Sequence, residues 1–356
     1  MADELNNSEY ESWFSHLFPS HGYRPLVLVS AAVTLGIFVL CSGIVMLDPS
    51  YSLSWPTVYL SMVGIFGALV WLGWVDGVYV DVWSEVRPVF AVDDETYRAV
   101  VHPGLERIYD ERRVLAYWVA VTVPSLLVAS VLFLPGLPTG LQEPVRTLFV
   151  SGTGLSPSLT QTVLVYLFAP IELLLLVTAF HVLSNHVTLV REASELPFRD
   201  LHTSALGLEP MVGFGMASAT AWLGGASVVA LWARIVGYDP LLEQGTVLLL
   251  ALVGVVAFFA PFLVLHLELR HAKRRKLAEI RNEYDETREL MERDPEPSEN
   301  LSFRLEVTDR RLESAKSIHT WPYNAASVWR LVTASVIPVL TLVDGVRQFI
   351  DSGGVG

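Results

Sequence analysis

The chain has 356 residues, of which 52% are hydrophobic and only 17% charged, with a mean hydropathy of +0.45. This composition excludes a soluble enzyme, a secreted disulfide scaffold and a disordered regulator, and it indicates an integral membrane protein. The formal net charge is −13 and lysine is rare, which is typical of proteins from concentrated salt, so we infer a halophilic archaeal source and expect no nucleic-acid partner.

The N-terminal segment, residues 1–24, carries aromatic and apolar residues at helical spacing. They are Tyr10, Trp13, Phe14, Leu17 and Phe18, at i, i+3, i+4, i+7 and i+8. This pattern predicts an amphipathic helix in the cytoplasmic membrane interface. Because its polar side is acidic, attraction to anionic lipid does not hold it there. We expect an inserted apolar side, or packing against a cytoplasmic hairpin, to hold it instead.

Seven apolar windows follow, each long enough at 1.5 Å per residue to cross a hydrocarbon core of about 30 Å. They are residues 26–47, 57–75, 114–134, 159–183, 211–233, 246–265 and 325–343. The sequence therefore predicts an all-α polytopic membrane protein with about seven transmembrane helices. We divide it into a tail (1–24), a six-helix transmembrane region (25–265), a cytoplasmic hairpin (266–324) and a seventh span with a short external tail (325–356).

The orientation follows from the distribution of lysine and arginine. The N-terminal tail has one, and segments 76–113, 184–210 and 266–324 have five, two and twelve. The alternate loops and the C-terminal tail together have three. Under the positive-inside rule, this asymmetry of 20 to three predicts a cytoplasmic N terminus and an external C terminus in the cell membrane.

Segment 76–113 is the first long connection between spans. We expect a helix to begin near Asp93 and Asp94, and the His102-Pro103-Gly104 sequence predicts a break before a second, charged helix.

Glu172 lies about midway along the fourth window, where insertion of an acidic side chain costs about 2.5–3.5 kcal/mol. At 100° per residue Gln161, Glu172 and His186 share one side of the helix. One interpretation is a proton-binding or cation-binding path lined by these residues. The other is a buried glutamate, neutral or paired with Arg330 of the last window, that fixes helix packing.

Prolines interrupt four of the windows and small residues line a fifth. Pro124, Pro170, Pro261 and Pro338 each free a backbone carbonyl and predict a helix bend, either around a polar cavity or simply as membrane helices tolerate. In the fifth window, small residues recur every four positions at 213, 217, 221 and 225. They predict a close packing face within the chain, or less readily a homodimer seam.

Residues 266–319 have the composition of a soluble helical hairpin. Two helical stretches flank an Asp-Pro-Glu-Pro break, and after it Leu301, Leu305 and Leu312 belong to a stripe with the coiled-coil spacing. The stripe predicts an antiparallel hairpin that packs on itself, or a seam for a second copy of the chain or for a helical protein partner.

Catalytic and metal-binding motifs are missing from the sequence, so we expect no enzyme activity and no cofactor. The histidines lack ligand spacing on a shared helix face, and the single cysteine lies within an apolar window. Two functions remain from different classes. The first is an ion channel or small transporter, homo-oligomeric, with a polar path near Glu172. The alternative is a membrane-anchored structural or signalling scaffold that acts through the hairpin.

Overall fold

A computed structural model of the chain describes residues 10, 13, 16, 23–46, 55–133, 159–199, 207–236, 240–293, 299–318, 320, 321, 329, 332, 333, 336, 339, 340 and 343. Within these residues the fold is helical, without a strand. A single antiparallel bridge joins Phe90 and Phe198.

Eight α-helices and one 3-10 turn follow in chain order. They are α1 (Tyr23–Met46), α2 (Trp55–Val86), the 3-10 turn Arg87–Val89, α3 (Asp94–Ile108), α4 (Glu111–Phe133), α5 (Leu159–Ser194), α6 (Glu209–Val236), α7 (Pro240–Arg293) and α8 (Glu299–Ser317). Six of the described helical segments are long and apolar enough to cross a membrane, and each of them overlaps one of the first six predicted windows. The seventh window lies mostly outside the described residues.

Four helices, α2, α5, α6 and α7, form the centre of the bundle, while α1 packs on α2 and α4 packs on α5. The outer position of α1 and α4 is evident from burial, because only 11% of the most apolar stretch of each is buried, against 50% in α6. The exposed apolar residues of α1 and α4 suit contact with lipid.

The small-residue face predicted for α6 is not the face that packs against α7. No side chain of a described residue lies within 4 Å of a Cβ built on Gly213 or Gly225. The close contact is instead at Gly215, where a Cβ would lie 2.8 Å from the Phe262 ring of α7, and at Gly254 of α7, which faces Trp222. The close α6–α7 contacts therefore pair Gly215 of α6 with the Phe262 ring, and Gly254 of α7 with Trp222 of α6. The packing role predicted for the four-residue repeat is not found at Gly213 or Gly225 among the described residues.

Helix α2 has 32 residues and α5 has 36, so at 1.5 Å per residue both are about 50 Å long and extend well beyond a 30 Å core. Their extensions pack with α3 and the start of α6. This region is the aromatic layer, named for five fully or almost fully buried side chains: Tyr79, Trp83, Phe90, Tyr97 and Phe214.

Helix α3 runs unbroken through Pro103, contrary to the break predicted at His102-Pro103-Gly104. The reason is tertiary packing, because Val101, Gly104 and Leu105 are buried around the proline and hold the helix in place. The chain instead breaks at residues 109 and 110, before α4 begins.

Helices α7 and α8 lie antiparallel beyond the bundle. Arg311 donates to Glu283 at 2.9 Å, and Lys273 Nζ donates to the carbonyl oxygens of Lys316 (2.7 Å) and Ile318 (2.9 Å) at the end of α8. Ile280, Ala315 and Ile318 form a small buried cluster, against which Leu277 and Leu312 pack.

Candidate functional site

Glu172 is an exposed residue of α5, on the outer surface of the described bundle. It has no hydrogen bond or ion pair with any residue that the structure describes. Two residues before it, the Pro170 carbonyl oxygen accepts a hydrogen bond of 2.8 Å from Trp118 Nε1 of α4. Further along the same interface, the Tyr166 hydroxyl bonds to Ser130 Oγ. Polar contacts therefore fasten α4 to α5 close to Glu172, but they do not involve its carboxylate.

The side of α5 that faces the bundle interior is apolar at this depth. Leu175, Ala179 and Val182 are buried, and the nearby Thr178 hydroxyl donates to the Leu174 carbonyl oxygen of its own helix at 2.7 Å. A polar path through the interior of one chain is thus not present next to Glu172 among the described residues.

His186 is buried in the aromatic layer, so it does not share the environment of Glu172. Its Nδ1 shares a hydrogen bond of 2.7 Å with the Tyr79 hydroxyl, and Phe214 packs on both rings. The Nε2 atom is buried and has no hydrogen-bond partner among the described residues. Because fourteen helical residues span about 21 Å, Glu172 and His186 occupy different levels of the molecule.

The other predicted path residues are less well defined. Gln161 lies in the first turn of α5, and its side chain lies outside the described part, as do Arg330 and Pro338 entirely. Of the remaining prolines, Pro124 is exposed on α4, Pro170 is half-buried on α5 and Pro261 is buried in α7. All three lie inside continuous helices.

His181, on the opposite side of α5 from His186, connects α5 to α3. Its Nε2 lies 2.8 Å from the carbonyl oxygen of Arg107, so the ring nitrogen donates. The Arg107 guanidinium also pairs with Glu192 near the end of α5. In the described part of the chain, no three His, Cys, Asp or Glu side chains converge as a metal site would require.

The N-terminal segment contacts the protein rather than only a membrane interface. The Tyr10 hydroxyl bonds to His102 Nδ1, and its ring packs on Tyr109. Trp13 lines a cavity of about 30 Å³ together with Asp76, Tyr109, Glu111 and Thr178, among others. The sequence predicts that lipid or the hairpin holds this segment. Tyr10 and Trp13 lie against the end of α3 and the middle of α2. Phe14, Leu17 and Phe18 lie outside the described residues, so the interfacial position of the segment stays a prediction.

The three leucines of the predicted partner seam lie on the side of α8 that faces α7. Leu312 packs on the buried cluster of the hairpin, while Leu301 and Leu305 are half-buried on the same side. Large exposed apolar residues occur elsewhere on the hairpin, at Leu290 and Phe303.

No protein-family model, no curated protein and no solved structure matches this chain.

Proposed function

We propose that this protein is an ion channel or small transporter that moves protons or cations, and that it works as a homo-oligomer. The observation that supports the proposal is Glu172, a carboxylate at mid-span that faces away from the described bundle and has no partner in it. Lipid is a costly neighbour for such a group, at about 2.5–3.5 kcal/mol on insertion scales. A water-lined surface shared with another copy removes that cost.

The apolar interior of the bundle supports a path on its outer side. Because Leu175 and Ala179 fill the inner side of α5, we place the path on the outer side, between copies of the chain. There Glu172 carboxylates from neighbouring copies attract cations and exchange protons, while the apolar residues around them exclude bulk water.

The topology that accompanies this function has seven spans, with the N terminus and the hairpin in the cytoplasm. The 20 to three asymmetry of basic residues supports it. So does the helical conformation of described residues in the last window, such as Trp329 and Val336. In this arrangement α7 and α8 form a cytoplasmic coiled-coil hairpin.

The test replaces Glu172 by glutamine in protein reconstituted into vesicles. Glutamine keeps the shape and the hydrogen-bonding capacity but cannot ionise, so Glu172→Gln should keep the fold and the oligomer size while lowering proton or cation flux at least about tenfold. The matched control is Val256→Gln, an exposed residue at similar depth on α7, which should conduct like the wild type. Wild-type flux equal to that of protein-free vesicles, across several ions and pH gradients, would rule out conduction.

A second function, a membrane-anchored scaffold, is favoured by one separate observation. The hairpin exposes large apolar side chains, Leu290 and Phe303, where a purely structural hairpin needs none. Under this function Glu172→Gln has no effect, whereas replacing Leu290 or Phe303 abolishes partner binding at the hairpin. Vesicle flux distinguishes the two functions, because a scaffold gives none in the wild type.

A further inference from the structure

Helix α8 has two apolar sides, and only one of them packs on another helix of the described part of the chain. The inner side faces α7. Thr308 and Ala315 are buried there, Leu312 packs on the buried cluster, and Leu301 and Leu305 are half-buried. On the other side, Phe303 is 65% exposed and Val307 is 36% exposed. At 100° per residue these two lie 40° apart, and the midpoint between them is directly opposite Leu305.

We propose that the outer side of α8 is the docking surface for α8 of a second copy of this chain, and that the two helices pair parallel and in register. The direction follows from the membrane. Two copies in one bilayer have the same orientation, so the axis that relates them is parallel to the membrane normal. Since α8 runs from the hairpin tip back towards the membrane in each copy, the two α8 helices are parallel.

The residues of α8 fit a parallel two-stranded seam. With Phe303 at heptad position d, Asn300 and Val307 fall at position a, Glu299 and Glu306 at g, and Arg304 and Arg311 at e. In parallel coiled coils a g residue pairs with the e residue five positions later in the other strand. This spacing matches Glu299 with Arg304 of the second copy, and Glu306 with Arg311 of the second copy.

A second copy also explains two features that another partner leaves unexplained. Helix α8 has four acidic and four basic residues and is therefore neutral, while the whole chain has a net charge of −13. Self-association of a neutral helix avoids the repulsion that the rest of the chain imposes. Asn300 is the polar residue that, at one a position, selects parallel in-register dimers.

The seam is short, because Arg310 and Ser314 occupy the next d and a positions. Each chain already forms Glu306–Arg310 and Glu283–Arg311 pairs, whereas Glu299 and Arg304 have no partner among the described residues. Glu299 with Arg304 is therefore the pair that reports on the second copy. The spans hold two hairpins at high effective concentration, so a short seam is sufficient in the membrane.

Cross-linking tests the seam in full-length protein in native membranes. In a Cys41→Ser background, Phe303→Cys should give a disulfide-linked dimer under mild oxidation, because in-register d positions bring the two thiols within bonding reach. The control is Asp309→Cys, an exposed position on a flank of α8, which should remain monomeric. Equal dimer from both variants, or a Phe303→Cys adduct only with another protein, would overturn the proposal.

Charge reversal tests the register with a rescue. Glu299→Arg or Arg304→Glu alone should lower the dimer fraction of the Phe303→Cys protein, by roughly two- to fivefold per lost ion pair. The double variant Glu299→Arg with Arg304→Glu should restore it. Failure of the rescue would exclude this register. Neither experiment measures flux, so self-association and conduction can fail independently.

Discussion

The aromatic layer and the two outer spans, α1 and α4, differ in how far their apolar side chains are buried. In the layer, Tyr79, Trp83 and Phe90 are fully buried, and the Tyr97 hydroxyl donates to the Trp83 carbonyl oxygen at 2.6 Å. In α1 and α4 most apolar residues face outwards. Tyr79, Trp83 and Phe90 follow the second predicted window. In water, burial of apolar surface drives packing, whereas between helices in lipid that driving force is absent. The specific tertiary structure is therefore concentrated in the layer.

The largest expected difference between the two regions comes from deleting a large side chain. Trp83→Ala leaves a cavity in the layer and should cost about 3–5 kcal/mol of stability. Leu127→Ala on α4, where the leucine is 62% exposed, removes a group that touches lipid and leaves no cavity, so it should change stability by less than about 0.5 kcal/mol. Thermal and denaturant unfolding of both variants in the same detergent measures the difference. Similar losses of stability from both variants would contradict the conclusion that specific tertiary packing is concentrated in the aromatic layer.

Replacing a glycine by alanine should change stability in opposite directions in the two regions. A Cβ at Gly104 would lie 3.0 Å from Leu189 Cγ and closer still to its Cδ1, and Leu189 is fully buried. Gly104→Ala should therefore destabilise the protein by about 1–3 kcal/mol through overpacking. At Gly36 of α1 no described residue has an atom within 4 Å of the new Cβ, so Gly36→Ala should stabilise the helix by about 0.5–1 kcal/mol. A stabilising Gly104→Ala would show that α3 and α5 are not in close contact.

The six described spans were predictable because a long uncharged stretch has few alternatives to a membrane helix. The start of α3 was predictable too, because Asp93 before Asp94 and Glu95 is a typical helix start. The continuity of α3 through Pro103 and the packing face of α6 were not. Both depend on which side chains of another helix arrive opposite, and a single sequence does not contain that information.

The candidate site was predictable only as a set of residue types. The sequence identified Glu172 as costly in lipid, and the helix period placed it on one side with His186. It could not indicate that neighbouring helices cover His186 and leave Glu172 open, because the two levels differ in their neighbours rather than in their own spacing. The Tyr79 partner of His186 is 107 residues away in the chain, beyond the reach of any periodicity.

The smallest expected effect concerns the start of α3, at the edge of the aromatic layer. The Asp93 carboxylate accepts a hydrogen bond of 2.7 Å from the Thr96 backbone N–H. This bond, helped by the nearby Arg87 guanidinium, lowers the pKa of Asp93 below its usual value. A carboxyl whose pKa is lowered by folding stabilises the fold above its unfolded pKa of about 3.9, and loses that contribution as the pH falls through its folded pKa.

Asp93→Asn keeps an acceptor oxygen but removes the charge. Its unfolding temperature in detergent should therefore lie slightly below that of the wild type at pH 7, and the gap should close as the pH falls below about 4. Asp309→Asn is the control, since Asp309 lies in the middle of α8 and has no partner in the described part. Asp309→Asn should unfold at the wild-type temperature at pH 7. A gap for Asp93→Asn that persists at low pH would mean that shape, and not ionisation, makes Asp93 the cap of α3.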